Sequence, residues 1–248
     1  MVTGKWEMVS RKWSQFWARR LLELYLKVES NLLRAVRVSG GRRVAIVGPP
    51  GSGKTSIWAF LNSGGTRFIT DHAPTLGAER VAGGVHVLHR GSALSDGLKF
   101  TLADSKDVSG DVENYPELWR QVIGDAFLVI FLFDVSRFVG IRDGANSKGY
   151  RTQVIEDAKF AGARIQHGDT IVVLAVGWCD KLKGWSPGNS APLQECLTEY
   201  GDEIGKIRAK LGVNTRHKPR QVEGSLGTPE YAHDFIYRIF KEGTRGKG

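Results

Sequence analysis

The 248 residues carry a formal charge of +9, with 41% hydrophobic and 25% charged side chains, which suits one folded α/β domain with an extension and excludes a disordered or low-complexity chain. No stretch approaches the roughly eighteen consecutive apolar residues of a spanning helix, and two cysteines, Cys179 and Cys196, exclude a disulfide framework. No signal-peptide core opens the chain and the second residue is Val2, not glycine, so the sequence implies neither export nor myristoylation and fits a reducing cytosol.

The charge is unevenly placed. Residues 1–43 hold ten lysines and arginines against three glutamates, and the remainder is close to neutral. Trp6, Trp13, Trp17, Leu21, Leu24, Val28, Leu32 and Ala35 recur at helical spacing, with Arg11, Lys12, Arg19, Lys27 and Arg34 mostly off that stripe. The pattern predicts a long basic amphipathic helix over 1–40. Three destinations are open to it: packing on the domain or a partner protein, an anionic membrane surface, or nucleic acid. Nucleic acid is the least favoured, because the tryptophans lie in the apolar stripe and are not interleaved with the basic residues as a stacking platform requires. Ser39-Gly40-Gly41 ends the helix, and a second unit is expected over 41–248.

That unit opens with Val44-Ala45-Ile46-Val47, a buried parallel-strand run, followed by Gly48, Pro49, Pro50, Gly51, Ser52, Gly53, Lys54, Thr55 and Ser56. The spacing is G-x-x-x-x-G-K-T. The three glycines let the backbone turn tightly so that successive N–H groups cradle phosphates, and the helix expected over 55–61 adds its N-terminal dipole. Lys54 is placed to reach the outer phosphates and the Thr55 hydroxyl to hold Mg²⁺.

A polar stretch, 62–72, leads to Pro74-Thr75-Leu76-Gly77. Residues 79–90 and 98–103 read as strands joined without a helix, hence an antiparallel hairpin at a sheet edge, and 104–116 reads as a loop. Leu118–Ile123 is a short helix. Phe127–Phe133 is the strongest buried-strand run, 137–148 a basic glycine-containing loop, 154–165 a helix, and Ile171–Val176 the next buried strand. Helical spacing covers 190–211 and a last strand covers 219–226. Thr228-Pro229 then starts a final helix to about Lys241, with threonine at the cap and proline at the first helical position. Strands alternating with helices predict a doubly wound, mostly parallel six-stranded sheet with one antiparallel edge strand, and ligands at the strands' C-terminal ends. His86 and His89 are three apart on a strand pattern and point to opposite faces, so no zinc site is expected.

With these segments in order, the chain over about 42–241 resembles a small GTPase of the Ras superfamily, within the TRAFAC class of P-loop NTPases, and most nearly the Arf and signal-recognition-particle-receptor β type. GPPGSGKT is similar to the first GTPase motif, PTLGAE (Pro74–Glu79) to the first switch, KFTLAD (Lys99–Asp104) to the strand before the second switch, and PELWRQ with FLVIFLFDVS to the helix and strand that follow. The resemblance implies GTP or GDP with Mg²⁺ as ligands, and Thr75 as the threonine that coordinates Mg²⁺ and senses the γ-phosphate.

Three departures accompany it. The expected D-x-x-G has two registers: Asp104 at a strand end is the preferred metal-side carboxylate, while Asp107-Val108-Ser109-Gly110 satisfies the motif and makes Asp107 the alternative. The glutamine that would orient the attacking water falls on Val108 in one register and on Asp111 in the other. Val108 cannot hold a water by hydrogen bonding, and a charged Asp111 is repelled by the γ-phosphate. In place of N-K-x-D the chain has Gly177-Trp178-Cys179-Asp180. Asp180 retains the carboxylate that accepts two N–H groups from guanine, Trp178 offers a stacking face in place of the lysine stem, and Gly224-Ser225-Leu226 is similar to the supporting S-A-K loop. Lys54, Thr75 and Asp111 are thus the candidate catalytic set. Thr55, Thr75, Asp104 and Asp107 are the candidate metal set.

The implied function is a slow GTP-hydrolysing molecular switch read by an effector or regulatory protein. It would be cytoplasmic, with peripheral membrane or partner association through the basic helix. A pseudo-GTPase scaffold and a P-loop ATPase are the alternatives.

Overall fold

A computed structural model describes residues 43–63, 78–81, 84–88, 98–102, 105–108, 116–124, 126–142 and 144–244, with the backbone alone for the strands between 78 and 108. The chain separates into two units, Met1–Gly41 and Arg42–Gly248, and all the described residues belong to the second. The amphipathic helix expected over 1–40 lies outside them.

Four strands, β1 (Val44–Val47), β6 (Leu128–Asp134), β7 (Ile171–Gly177) and β8 (Arg220–Glu223), pair in parallel in the order β1-β6-β7-β8. Every residue of β1, β6 and β7 is buried, as continuous aliphatic and aromatic runs require when helices cover both faces of a parallel sheet. The strand alternation divides them between two cores. Ala45, Val47, Val129, Phe131, Phe133, Leu174 and Val176 face one way, against α2 (Pro116–Gly124), α4 (Ser147–Arg164), α5 (Ala191–Glu199) and α6 (Gly201–Leu211). Val44, Ile46, Ile130, Leu132, Val173 and Ala175 face the other, against α1 (Lys54–Asn62) and α7 (Pro229–Thr244). Each large side chain that is fully enclosed, such as Phe131 or Phe133, contributes about 1.5–3 kcal/mol by leaving water. A one-turn helix, α3 (Val135–Phe138), follows β6 directly.

Helix ends follow local chemistry. The Thr228 hydroxyl accepts from the Tyr231 amide at 3.3 Å and caps α7, with Pro229 in its first turn as the sequence implies. On α4, a Cβ added to Gly162 would stand 1.9 Å from the Lys210 carbonyl oxygen, so the small residue lets α4 and α6 lie in close contact.

Five expectations are corrected. Among the described residues the main sheet has four parallel strands, where six with an antiparallel edge are expected. The antiparallel pair exists, as β3 (Gly84–Leu88) with β4 (Leu98–Leu102), but its ladder is a separate two-stranded sheet. Residues 105–108, read as loop, form β5 (Ser105–Val108), which pairs antiparallel with β2 (Ala78–Val81). Asp107 therefore stands in a ladder opposite Glu79, and Val108 opposite Ala78. The reason is backbone satisfaction: β2 and β5 supply each other's hydrogen bonds although neither sequence shows clean alternation. β5 also runs beside β1 and α1. Finally, the helix expected over 190–211 is two, α5 and α6, meeting at Tyr200, and the loop expected over 137–148 is largely helical, through α3 and a 3₁₀ turn at Gly144–Asn146.

Candidate functional site

Because all four strands of the main sheet run in parallel, the segments that follow them emerge at one edge. There the chain assembles most of the expected binding residues. Between β1 and α1, Gly48, Gly51 and Gly53 take φ values of 145°, 73° and 103°, in the region that favours glycine. Gly53 is the N-cap of α1 and brings no side-chain cap to it, at the end of a helix that favours negative charge. The Ser52 side chain is buried, and its hydroxyl has no hydrogen-bond partner among the described residues. Lys54 is only 6% exposed and folds back, its Nζ donating to the Gly48 and Pro49 carbonyls at 3.0 Å each. An ammonium group held inside a loop of left-handed glycines is a fitting receptor for phosphate oxygens. Pro49 and Ser56 are buried, Pro50 is exposed, and Thr55 is half-buried in the first turn of α1.

The loop after β7 crosses to this cradle. Trp178 is the single non-glycine residue with positive φ among the described residues, at 60°. Its indole Nε1 donates to the Ser52 carbonyl at 3.1 Å. Gly177, where the resemblance has asparagine, is the last residue of β7 and pairs with Asp134; a Cβ there would come to 3.2 Å from Leu132 Cδ1.

The loops after β7 and β8 are laced together. The Cys179 amide donates to the Gly224 carbonyl at 3.0 Å and the Gly224 amide to the Val176 carbonyl at 2.9 Å. The buried Ser225 hydroxyl donates to Asp180 Oδ1 and accepts from the Gly227 amide at 2.9 Å. Lys181 Nζ lies 3.0 Å from Asp180 Oδ2. Gly227 passes so close that a Cβ would stand 2.5 Å from that same oxygen, and Leu226 packs against Gly53. The phosphate-loop residues, Trp178, Asp180, Ser225 and Leu226 are therefore contiguous.

Four residues that the sequence alone does not single out, Asp134, Arg137, Arg142 and Tyr150, join them. Asp134, fully buried at the end of β6, accepts at Oδ1 from the Ser136 amide (2.8 Å), the Ser136 hydroxyl (2.6 Å) and the Arg137 amide (3.3 Å), and at Oδ2 from Arg142 (3.1 Å). Burial raises its pKa above 3.8 despite those hydrogen bonds and the Arg142 charge. Arg137 donates to the Pro50 carbonyl at 2.9 Å and lies 4.3 Å over the Tyr150 ring. The Tyr150 hydroxyl accepts from the Asp134 amide at 3.0 Å, and burial pushes its pKa up. Arg142 sits over the Trp178 ring, 5.6 Å from its centroid. Asp134-Val135-Ser136 at a strand end carried a legible capping signal; the reach of Arg137 and Arg142 did not.

Thr75, Asp104 and Asp111 lie outside the described residues, and for Asp107 only the backbone in β5 is described. Among the described residues no cluster of three or more His, Cys, Asp or Glu could hold a metal ion, and no helix is long and apolar enough to cross a membrane. No family model matches the chain, and no curated protein matches it.

Proposed function

We propose that this protein is a P-loop NTPase-like guanine-nucleotide-binding protein acting as a molecular switch, with Mg²⁺·GTP and GDP as its ligands. The observation that carries the reading is the meeting of three loops distant in sequence, 48–56, 177–180 and 224–227, at one edge of a parallel sheet. A phosphate cradle with an inward lysine accounts for the first. A carboxylate steadied by a buried serine accounts for the other two, since Asp180 can accept N–H groups of guanine that adenine does not offer in that pattern.

On this reading Lys54 leaves the Gly48 and Pro49 carbonyls to meet phosphate oxygens, and Ser52, Gly53 and the start of α1 supply backbone donors. Thr55 would hold Mg²⁺, together with Thr75 and either Asp104 or Asp107; the ion would screen phosphate charge. Arg137, tied to Pro50, adds positive potential at the loop. Turnover is slow, at or below about 10⁻⁴ s⁻¹ unaided, because Val108 or Asp111 stands where the resemblance has the water-orienting glutamine. The γ-phosphate would be sensed by the residues around Thr75 and Asp104–Arg120, read in turn by an effector, with the N-terminal basic segment providing partner or anionic-membrane association.

A second reading, a nucleotide-binding scaffold without hydrolysis, draws support from Val108, which stands in a strand ladder opposite Ala78 and offers no group for water.

The test is identification of the nucleotide that co-purifies, followed by competition of GTP and ATP for a fluorescent guanine nucleotide. GTP should compete at least about tenfold better, and Asp180→Ala should erase most of that preference while leaving phosphate-driven binding. Equal or better competition by ATP would defeat the guanine assignment. Bound GTP with no GDP formed over hours, cell extract included, would replace the switch by the scaffold.

A further inference from the structure

Trp178 occupies the place where the resemblance has a lysine, and its setting is more constrained than that exchange requires. One edge of the indole is pinned through Nε1 to the Ser52 carbonyl at 3.1 Å. One face is covered by the Arg142 guanidinium, 5.6 Å from the ring centroid. Arg142 is itself 47% exposed, and an ion pair of such a side chain to a mobile partner would hold little. Its partner here is fixed: Asp134 is fully buried, Oδ1 is occupied by Ser136 and Arg137, and Oδ2 is left to Arg142 at 3.1 Å. The chain Asp134, Arg142, Trp178, Ser52 thus runs from the end of β6 to the phosphate loop.

Strand order sets the segments after β6 and β8 on opposite flanks of Trp178, which also packs against the core that holds Leu132 and Leu226. β7 lies between β6 and β8, so Arg142 reaches Trp178 from the segment after β6. Asp180, bonded to Ser225, belongs with the loop after β8 on the other flank.

We infer that Arg142 is a positioning residue for base recognition: anchored by Asp134, it backs one face of Trp178 and leaves the opposite face to stack on the purine that Asp180 selects. This rests on the nucleotide-binding reading above and deepens it. A ring held at one edge and one face loses little freedom when a base stacks on it, so its orientation is settled before the ligand arrives. Arginine suits the task because its flat, always-charged guanidinium can stack on an aromatic face while pairing with a carboxylate; a lysine keeps the charge and loses the flat contact.

The test measures two ligands on the same full-length proteins. A fluorescent guanosine diphosphate reports base and phosphate binding together, and inorganic tripolyphosphate, as competitor, reports the phosphate cradle alone. Arg142→Ala should weaken the nucleotide about tenfold, the scale of one lost base–aromatic stack, with the tripolyphosphate constant unchanged. Arg142→Lys should recover only a minor part of that loss. In Trp178→Leu, where no ring remains to be backed, adding Arg142→Ala should cost nothing further. Unchanged nucleotide affinity in Arg142→Ala, or equal losses for nucleotide and tripolyphosphate, would overturn the inference while leaving nucleotide binding intact. Failure of the wild-type protein to bind either ligand would overturn both readings.

Discussion

Gly48 runs against Leu132 so closely that a Cβ on it would stand 1.9 Å from the Leu132 carbonyl oxygen. The first glycine of the phosphate loop is therefore fixed twice, by a φ of 145° and by the neighbouring strand. Gly48→Ala must move backbone, and should cost about 2–5 kcal/mol in urea unfolding from overpacking and backbone strain together. Gly144, with φ 52° and nothing within 4 Å, is the control: Gly144→Ala should cost only about 1–2 kcal/mol of left-handed strain. Equal losses at the two sites would mean that the close approach to Leu132 relaxes freely.

Lys54 separates binding from folding. Lys54→Met keeps the stem in its buried slot and removes the ammonium that now bonds Gly48 and Pro49. Charged hydrogen bonds to phosphate are worth about 1.5–3 kcal/mol each, so nucleotide affinity should fall by about a hundredfold. The unfolding free energy should shift by no more than about 1–2 kcal/mol, since the lost carbonyl partners are offset by not burying a charge. A titration showing near-normal affinity in Lys54→Met would remove the phosphate role.

Asp134 makes stability depend on pH in a stated direction. Its pKa in the native protein lies above 3.8, with burial as the main cause. Just above pH 3.8 the folded chain holds a proton that the unfolded chain has released. The contribution of this group is therefore full below 3.8, falls as pH rises through the window between the unfolded and native values, and is constant above it. Asp134→Asn abolishes the titration, so urea midpoints taken in small pH steps upward from 3.8 should show wild type losing stability relative to the variant. Parallel curves for the two proteins would contradict the assignment.

The two thiols should differ sharply. Cys179 is fully buried, its Sγ contacts the Val176 carbonyl at 3.4 Å, and burial pushes its pKa up to about 12. At pH 8 only about one part in ten thousand of such a thiol is thiolate. Cys196 is partly exposed on α5, and burial raises its pKa as well. Iodoacetamide on the native protein, followed by peptide mass mapping, should modify Cys196 first and reach Cys179 only at the rate of opening. Urea should make both react. Early native labelling of Cys179 would show that the loop after β7 opens readily.

Features that depend only on neighbours along the chain are legible before the fold is known. Val44–Val47, Leu128–Asp134 and Ile171–Gly177 were legible as buried strands because an unbroken apolar run has few other places to go. The glycine spacing after β1 was legible because only glycine takes those φ values cheaply. Thr228-Pro229 marked the start of α7 for an equally local reason. Tertiary structure decided what partners what. Residues 105–108 became a strand because 78–81 lie opposite them, and among the described residues the expected hairpin pairs as its own two-stranded sheet, since ladder hydrogen bonds belong to pairs of segments and leave weak traces in either one. The strap from Asp134 through Arg142 and Trp178 to Ser52 was invisible for the same reason. Its charge and aromatic contacts join loops that only a parallel sheet brings to one edge.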